Sequence, residues 1–175
     1  MSVFFGAASE PSDPVPLEES AAIADYLTKN HPTLLSLLPQ AGVSVADVLA
    51  QKTVVAPSEQ AFKDLLKELD NKLPSPEDLK QLLLYHCSPR SATWKSENSG
   101  TLGEGAYPTA NGKAWEIRGC CVYDELGKQS CVSKFVMAAN KNEPNVLVVD
   151  RVLRLKPAAV GARGGGHEVH FWARS

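Results

Sequence analysis

The helix and strand signals of this chain lie in different halves, and Pro89 divides them. Before it, apolar residues recur at helical spacing between recognisable caps. After it, short apolar runs are separated by linkers containing Gly, Asn or Pro. Segregation of this kind predicts an α+β domain, because alternating βαβ units would interleave the two patterns.

In the helical half, Glu18 to about Asn30 carries Ala21, Ala22, Ile23, Tyr26 and Leu27, and His31-Pro32 closes the helix. Thr33 is placed to cap a short second helix over Leu34–Leu38, with Gly42 just beyond its end. Ser44 caps a further turn from Ala46 to Leu49. Thr53-Val54-Val55-Ala56 is β-branched and reads as a buried strand. Pro57-Ser58 then turns the chain into a helix over Glu59 to about Leu69, with Ala61, Phe62, Leu65, Leu66 and Leu69 on one face. Ser75, Pro76 and Asp78 mark the next start as cap, first position and capping-box partner. Leu79, Leu82, Leu83 and His86 follow on a single face.

In the second half, Ala92–Lys95, Gly112–Arg118, Cys120–Tyr123, Cys131–Ala138 and Val146–Leu155 read as strands. Residues 1–17, with Pro11, Pro14 and Pro16, read as an extended N-terminal arm. Residues 18–157 read as one domain, and residues 158–175 as a Gly-rich tail.

A hairpin turn centred on Leu126 sets Cys121 opposite Cys131, which predicts a cross-strand disulfide; reduced, packed thiols are the alternative. A disulfide points to an oxidising compartment, extracellular or the lumen of an organelle. Residues 1–20 contain Glu10, Asp13, Glu18 and Glu19 and no Lys or Arg, and Val3-Phe4-Phe5 is too short for a secretory core. No signal peptide is therefore expected in this numbering. Either the chain is not exported or a leader lies outside it.

Composition excludes classes more readily than it selects one. Lys and Arg total 18 against 20 Asp and Glu, a net charge of −2, which argues against nucleic acid as the partner. No apolar run approaches the roughly 20 residues needed to cross a bilayer, so only peripheral membrane association stays open. Ser, His and Asp occur without a nucleophile elbow or comparable motif, so no catalytic residues are expected. The cysteines lack paired CxxC spacing, and His167 and His170 have no evident third ligand, so no metal site is expected.

Three segments carry a family resemblance. Thr53-Val54-Val55-Ala56-Pro57-Ser58-Glu59-Gln60-Ala61-Phe62 resembles the first signature of the fasciclin-like domain. Leu82-Leu83-Leu84-Tyr85-His86 resembles its Leu-Leu-x-Tyr-His segment, and Val146-Leu147-Val148-Val149-Asp150-Arg151-Val152-Leu153 its closing strand. The set occurs in order and covers about Ile23 to Pro157. It implies a wedge-shaped β-sandwich flanked by N-terminal helices. The closing strand departs from the pattern: the usual Asn-Gly is absent, and Leu147 stands where the family carries His. Asn142-Glu143-Pro144 resembles part of an adhesion-associated motif of animal members, with Asn145 where an acidic residue usually follows.

The resemblance also supplies candidate sites. Tyr85 and His86 match a pair linked with adhesion in animal members. Read from the residues alone, His86 is buried and bonded to a main-chain carbonyl, and Tyr85 packs on the sheet. Some algal members carry carotenoids, which implies that Phe62, Leu65, Leu66 and Leu69, with Trp115, Val136 and Met137, line an apolar groove; the alternative is plain core. Phe4 and Phe5 on the arm, with Phe171 and Trp172 on the tail, are candidate anchors for a protein partner. The expected function is a non-enzymatic binding or interaction module of the protein–protein or cell-adhesion type. The alternatives are a water-soluble carrier of a carotenoid or other apolar ligand, or an accessory subunit docked on a larger, membrane-associated photosynthetic assembly.

Overall fold

The structure, a computed structural model, describes residues 15–95 and 101–155. Five helices lie among them: α1 (Ile23–Asn30), α2 (Pro32–Gln40), α3 (Val45–Leu49), α4 (Glu59–Glu68) and α5 (Pro76–Tyr85). Ser44, Ser58 and Ser75 accept the main-chain N–H groups of Asp47, Ala61 and Asp78 at the starts of α3, α4 and α5. Each bond satisfies a donor the helix leaves orphaned, worth about 1 kcal/mol.

The start of α2 differs from the expectation at Thr33. The helix begins at Pro32, so Thr33 lies inside its first turn. Its cap comes from another helix. Glu59 Oε2 accepts the Thr33 N–H at 3.2 Å, and Oε1 accepts the Thr33 hydroxyl at 2.5 Å. A carboxylate at the positive end of a helix is favoured there, and the same contact fixes α4 against α2.

The strands are β1 (Leu17–Ser20), β2 (Thr53–Pro57), β3 (Cys87–Ser88), β4 (Trp94–Lys95) and β5 (Thr101–Leu102). They continue with β6 (Gly105–Pro108), β7 (Ala114–Arg118), β8 (Cys121–Tyr123), β9 (Gln129–Ala138) and β10 (Asn145–Val149). The main sheet runs β3-β2-β10-β9-β8-β7-β6, with β1 added on β9; β4 and β5 pair separately. β2 and β10 are parallel neighbours, with Val54 beside Val146 and Val55 beside Leu147. All four residues are buried. The family's usual His position thus holds a core leucine. The architecture is α+β with a sandwich-like sheet, as the three signatures imply.

β9 joins the two halves of that sheet. One side of it pairs with β10, and the other serves β8 over Gln129–Cys131 and then β1 over Phe135–Ala138. Between these stretches the β9–β10 register shifts at Val148/Val149. An extra residue on one strand bends it and raises its twist, which turns β9 from one partner to the next.

Two segments contradict the sequence reading. Glu18–Ser20 is strand, not helix: β1 lies parallel to β9 with Leu17 beside Phe135 and Ser20 beside Ala138. The ladder takes main-chain bonds from Phe135 to Pro16 and from Ala139 to Ser20, and Lys134 Nζ meets Glu18 at 2.8 Å. These long-range partners outweigh a weak local helix preference. The closing strand also ends early, at Val149. Asp150 N–H still reaches the Cys131 carbonyl of β9 at 3.1 Å, but further on main-chain donors go to side chains. Leu153 N–H goes to His86 and Arg154 N–H to Asp124. Val152, Leu153 and Leu155 stay buried nevertheless. The short strands β3, β5 and β6 were not expected from the sequence.

Candidate functional site

Tyr85 and His86 end α5 inside the domain, with 0% and 2% of their surfaces exposed. His86 Nδ1 donates to the carbonyl of Leu82 at 2.8 Å, and Nε2 accepts the N–H of Leu153 at 3.0 Å. These partners select the neutral tautomer protonated at Nδ1. Burial lowers the pKa of His86 to about 4, against a smaller opposing effect of the Leu82 carbonyl. The Tyr85 hydroxyl donates to the Ala114 carbonyl at 2.8 Å and accepts the Glu125 N–H at 3.1 Å. Burial, followed by the charges of Asp124 and Glu125, raises its pKa. Trp115 Nε1 returns a bond to the Tyr85 carbonyl at 2.9 Å, and its ring stacks on Tyr107. This pair holds α5 to β7, to the β8–β9 turn and to the closing segment. In this structure it presents no side chain to a partner.

The seven residues expected to line an apolar groove are dispersed between the core and two cavities. Phe62 and Leu65 of α4 and Leu69 at its C-terminal cap are buried in the common core, as are Trp115 on β7 and Val136 on β9, and Leu66 is half-buried. Leu65 borders a cavity of about 70 Å³ that Asp64, Glu68, Asp150, Arg151 and Arg154 make polar. Met137 lines a different and larger cleft. Phe4, Phe5, Phe171, Trp172 and both His of the tail lie outside the described residues.

That larger cleft gathers convergent polar groups, and the sequence reading had named Met137, Glu143 and Asn145 within it. It has a volume of about 490 Å³ and is lined by the β9–β10 loop, the start of β10, the residue before β2 and the segment after β3. Met137, Ala138 and Pro89 supply its apolar surface. Lys52, Ser91, Asn140, Lys141, Glu143 and Asn145 supply its polar groups. The frame beneath is held by hydrogen bonds. Lys52 donates its N–H to Ser88 and accepts that of Asn145 on its carbonyl. Asn145 Oδ1 accepts the Ala138 N–H, and its Nδ2 donates to Ala92. Asn140 Oδ1 accepts the Asn142 N–H, and the Asn140 carbonyl accepts that of Glu143. Glu143 Oε1 accepts the Ile23 N–H at 3.2 Å, at the N-terminus of α1. The Asn142-Glu143-Pro144 stretch is therefore a braced rim of the cleft.

The buried titratable groups are occupied by the fold. His31 Nδ1 donates to the Pro57 carbonyl at 3.1 Å, and burial lowers its pKa. Burial alone pushes the Cys87 thiol up to about 12, where little thiolate forms at neutral pH. Cys121 and Cys131 stand directly opposite on β8 and β9 and are joined by a disulfide. The turn between them is closed by Asp124, whose Oδ1 accepts the N–H groups of Leu126 and Lys128, and by Gly127 at φ +77°. That φ suits glycine in a bulged hairpin turn. A disulfide of this kind persists in oxidising compartments. Among the described residues no helix is long and apolar enough to cross a membrane.

Comparison with known proteins places this geometry. A search of curated proteins finds no match. Among solved structures the chain is similar to a FAS1 domain pair from the insect cell adhesion molecule fasciclin I. That likeness has 18% identity and a TM-score of 0.44, and covers 79% of this chain and 47% of the other. The chain thus spans about half the length of that domain pair. The Fasciclin domain profile matches residues 29–155, most of the chain and all three signatures. This chain belongs to the fasciclin family, whose domains are binding and interaction modules.

Proposed function

We propose that the chain is a protein-binding module of the adhesion type, working without catalysis in an extracellular or lumenal setting, and that its contact region is the cleft at the β9–β10 loop. The observation that carries this reading is the contrast between the cleft and the interior. Exposed polar groups from four chain segments converge on the cleft. Among the described residues, both histidines and Cys87 are buried and bonded to main-chain carbonyls. A binding module needs the first arrangement, whereas an enzyme needs titratable groups within reach of a substrate.

The test is amine-directed cross-linking of the full chain to proteins of the extracellular or lumenal fraction of its source, mapped by mass spectrometry. Cross-links that concentrate on Lys52 and Lys141 are the expected result. Links confined to Lys113 and Lys128 overturn the assignment of the contact region. If no protein is captured and the purified chain shows a visible absorption band, the binding-module reading gives way to a carrier of carotenoid.

A further inference from the structure

The cleft is rich in donors and poor in available acceptors. Asn145 uses both ends of its amide on main chain, and Asn140 Oδ1 is taken by the Asn142 N–H. The Glu143 carboxylate faces the N-terminus of α1 and accepts the Ile23 N–H there, so the positive end of that helix answers its charge. The donors are differently placed. The ion pairs between described residues use Lys113, Arg118, Lys134 and Arg154. Neither Lys52 nor Lys141 is among them, and both are exposed at the cleft. Ser91 Oγ and Asn140 Nδ2 likewise have no acceptor among the described residues.

From this asymmetry we propose that the cleft binds an acidic peptide segment, whose carboxylates meet Lys52 and Lys141 while a neighbouring apolar side chain rests on Met137 and Pro89. The inference rests on the binding-module reading and names the chemistry of the partner. Two lysines bordering one concavity bias it towards an anionic ligand. The volume of about 490 Å³ falls in the range of ligand clefts, roughly 300–1,000 Å³. The lysine positions are prepared before binding, since Lys52 is tied through its main chain to β3 and β10 and the loop carrying Lys141 is braced by Asn140. The apolar floor of Met137 and Pro89 favours a peptide over a dense sulfated polymer, which offers no apolar group.

The test uses a fluorescent hexapeptide of alternating Glu and Leu, its counterpart with Gln for Glu, and a heparin-type sulfated oligosaccharide. Each is titrated against the full chain by anisotropy. The acidic peptide should bind saturably and weaken with added salt. Binding should fall at least tenfold in the Lys52→Glu/Lys141→Glu double variant and stay unchanged in Lys128→Glu. A melting curve checks that the double variant is folded; if it is not, Lys141→Gln serves, with a smaller loss expected. The proposal is overturned if the acidic peptide does not bind, if the Gln peptide binds equally, if the variants bind normally or if the oligosaccharide is preferred. A protein partner captured by a chain that refuses the acidic peptide overturns this inference alone and leaves the binding-module reading standing.

Discussion

His86 Nε2 accepts the main-chain N–H of Leu153 at 3.0 Å, across 67 residues of chain. The closing segment has no strand partner at that point, so a helix-terminal side chain replaces the ladder. The arrangement requires a neutral ring, because a protonated Nε2 donates and cannot accept.

Stability should therefore fall with acid. The folded pKa of His86 is about 4, below the unfolded value of about 6.5. The unfolded chain thus binds a proton that the folded chain refuses. The stability present above pH 6.5 is lost progressively as pH falls through that value towards 4. The full loss is about 3 kcal/mol, at about 1.4 kcal/mol per pKa unit. His31, also lowered by burial, acts in the same direction. Urea denaturation between pH 7.5 and 4 should show this slope in the native chain and a shallower one in His86→Gln. Equal slopes would remove His86 as its cause.

Tyr85→Phe should cost about 1–3 kcal/mol. The substitution keeps the buried ring and removes only the hydroxyl. It removes two hydrogen bonds, one to the Ala114 carbonyl and one from the Glu125 N–H, each worth about 0.5–1.5 kcal/mol net. Chemical denaturation measures the loss, and a change within error would show that water replaces the hydroxyl.

Phe62→Ala should be among the most damaging core changes. Phe62 is 3% exposed, on the α4 face directed at the core. Deleting a buried Phe side chain costs about 3–5 kcal/mol. A loss under about 1 kcal/mol, read from the denaturant midpoint at unchanged m-value, would contradict that burial.

The disulfide makes two measurable statements. Non-reducing digestion should yield a peptide linking Cys121 to Cys131, in which the adjacent Cys120 takes no part in the link, with Cys87 outside it. Replacing both linked cysteines by Ser should cost about 2–3 kcal/mol, the loop-closure value for a link this short. Alkylation of all four cysteines without reductant would show that the link does not form in solution.

Local chemistry was legible where a residue acts on its own neighbours. Serine caps, the apolar face of α4, the hairpin that aligns Cys121 with Cys131, and the three ordered signatures can each be read over a few positions, because caps, helical periodicity and strand alternation are short-range effects. The burial of His86 was also foreseeable, since it continues an apolar helix face. What only the tertiary structure decided depends on residues far apart in the chain. Leu17–Ser20 became strand because β9 offered a parallel ladder and Lys134 a counter-charge. Thr33 is capped by Glu59 from another helix. Leu153 and Arg154 gave up strand pairing because His86 and Asp124 take their N–H groups. The cleft belongs to the same class. Lys52, Ser91, Met137 and Lys141 occupy separate segments, and nothing in their local sequence brings them together. The parallel pairing of β2 with β10 does so, by setting Lys52 beside Asn145 and the β9–β10 loop. Local propensity acts over a few residues, while such a site depends on contacts that exist only once the sheet has closed.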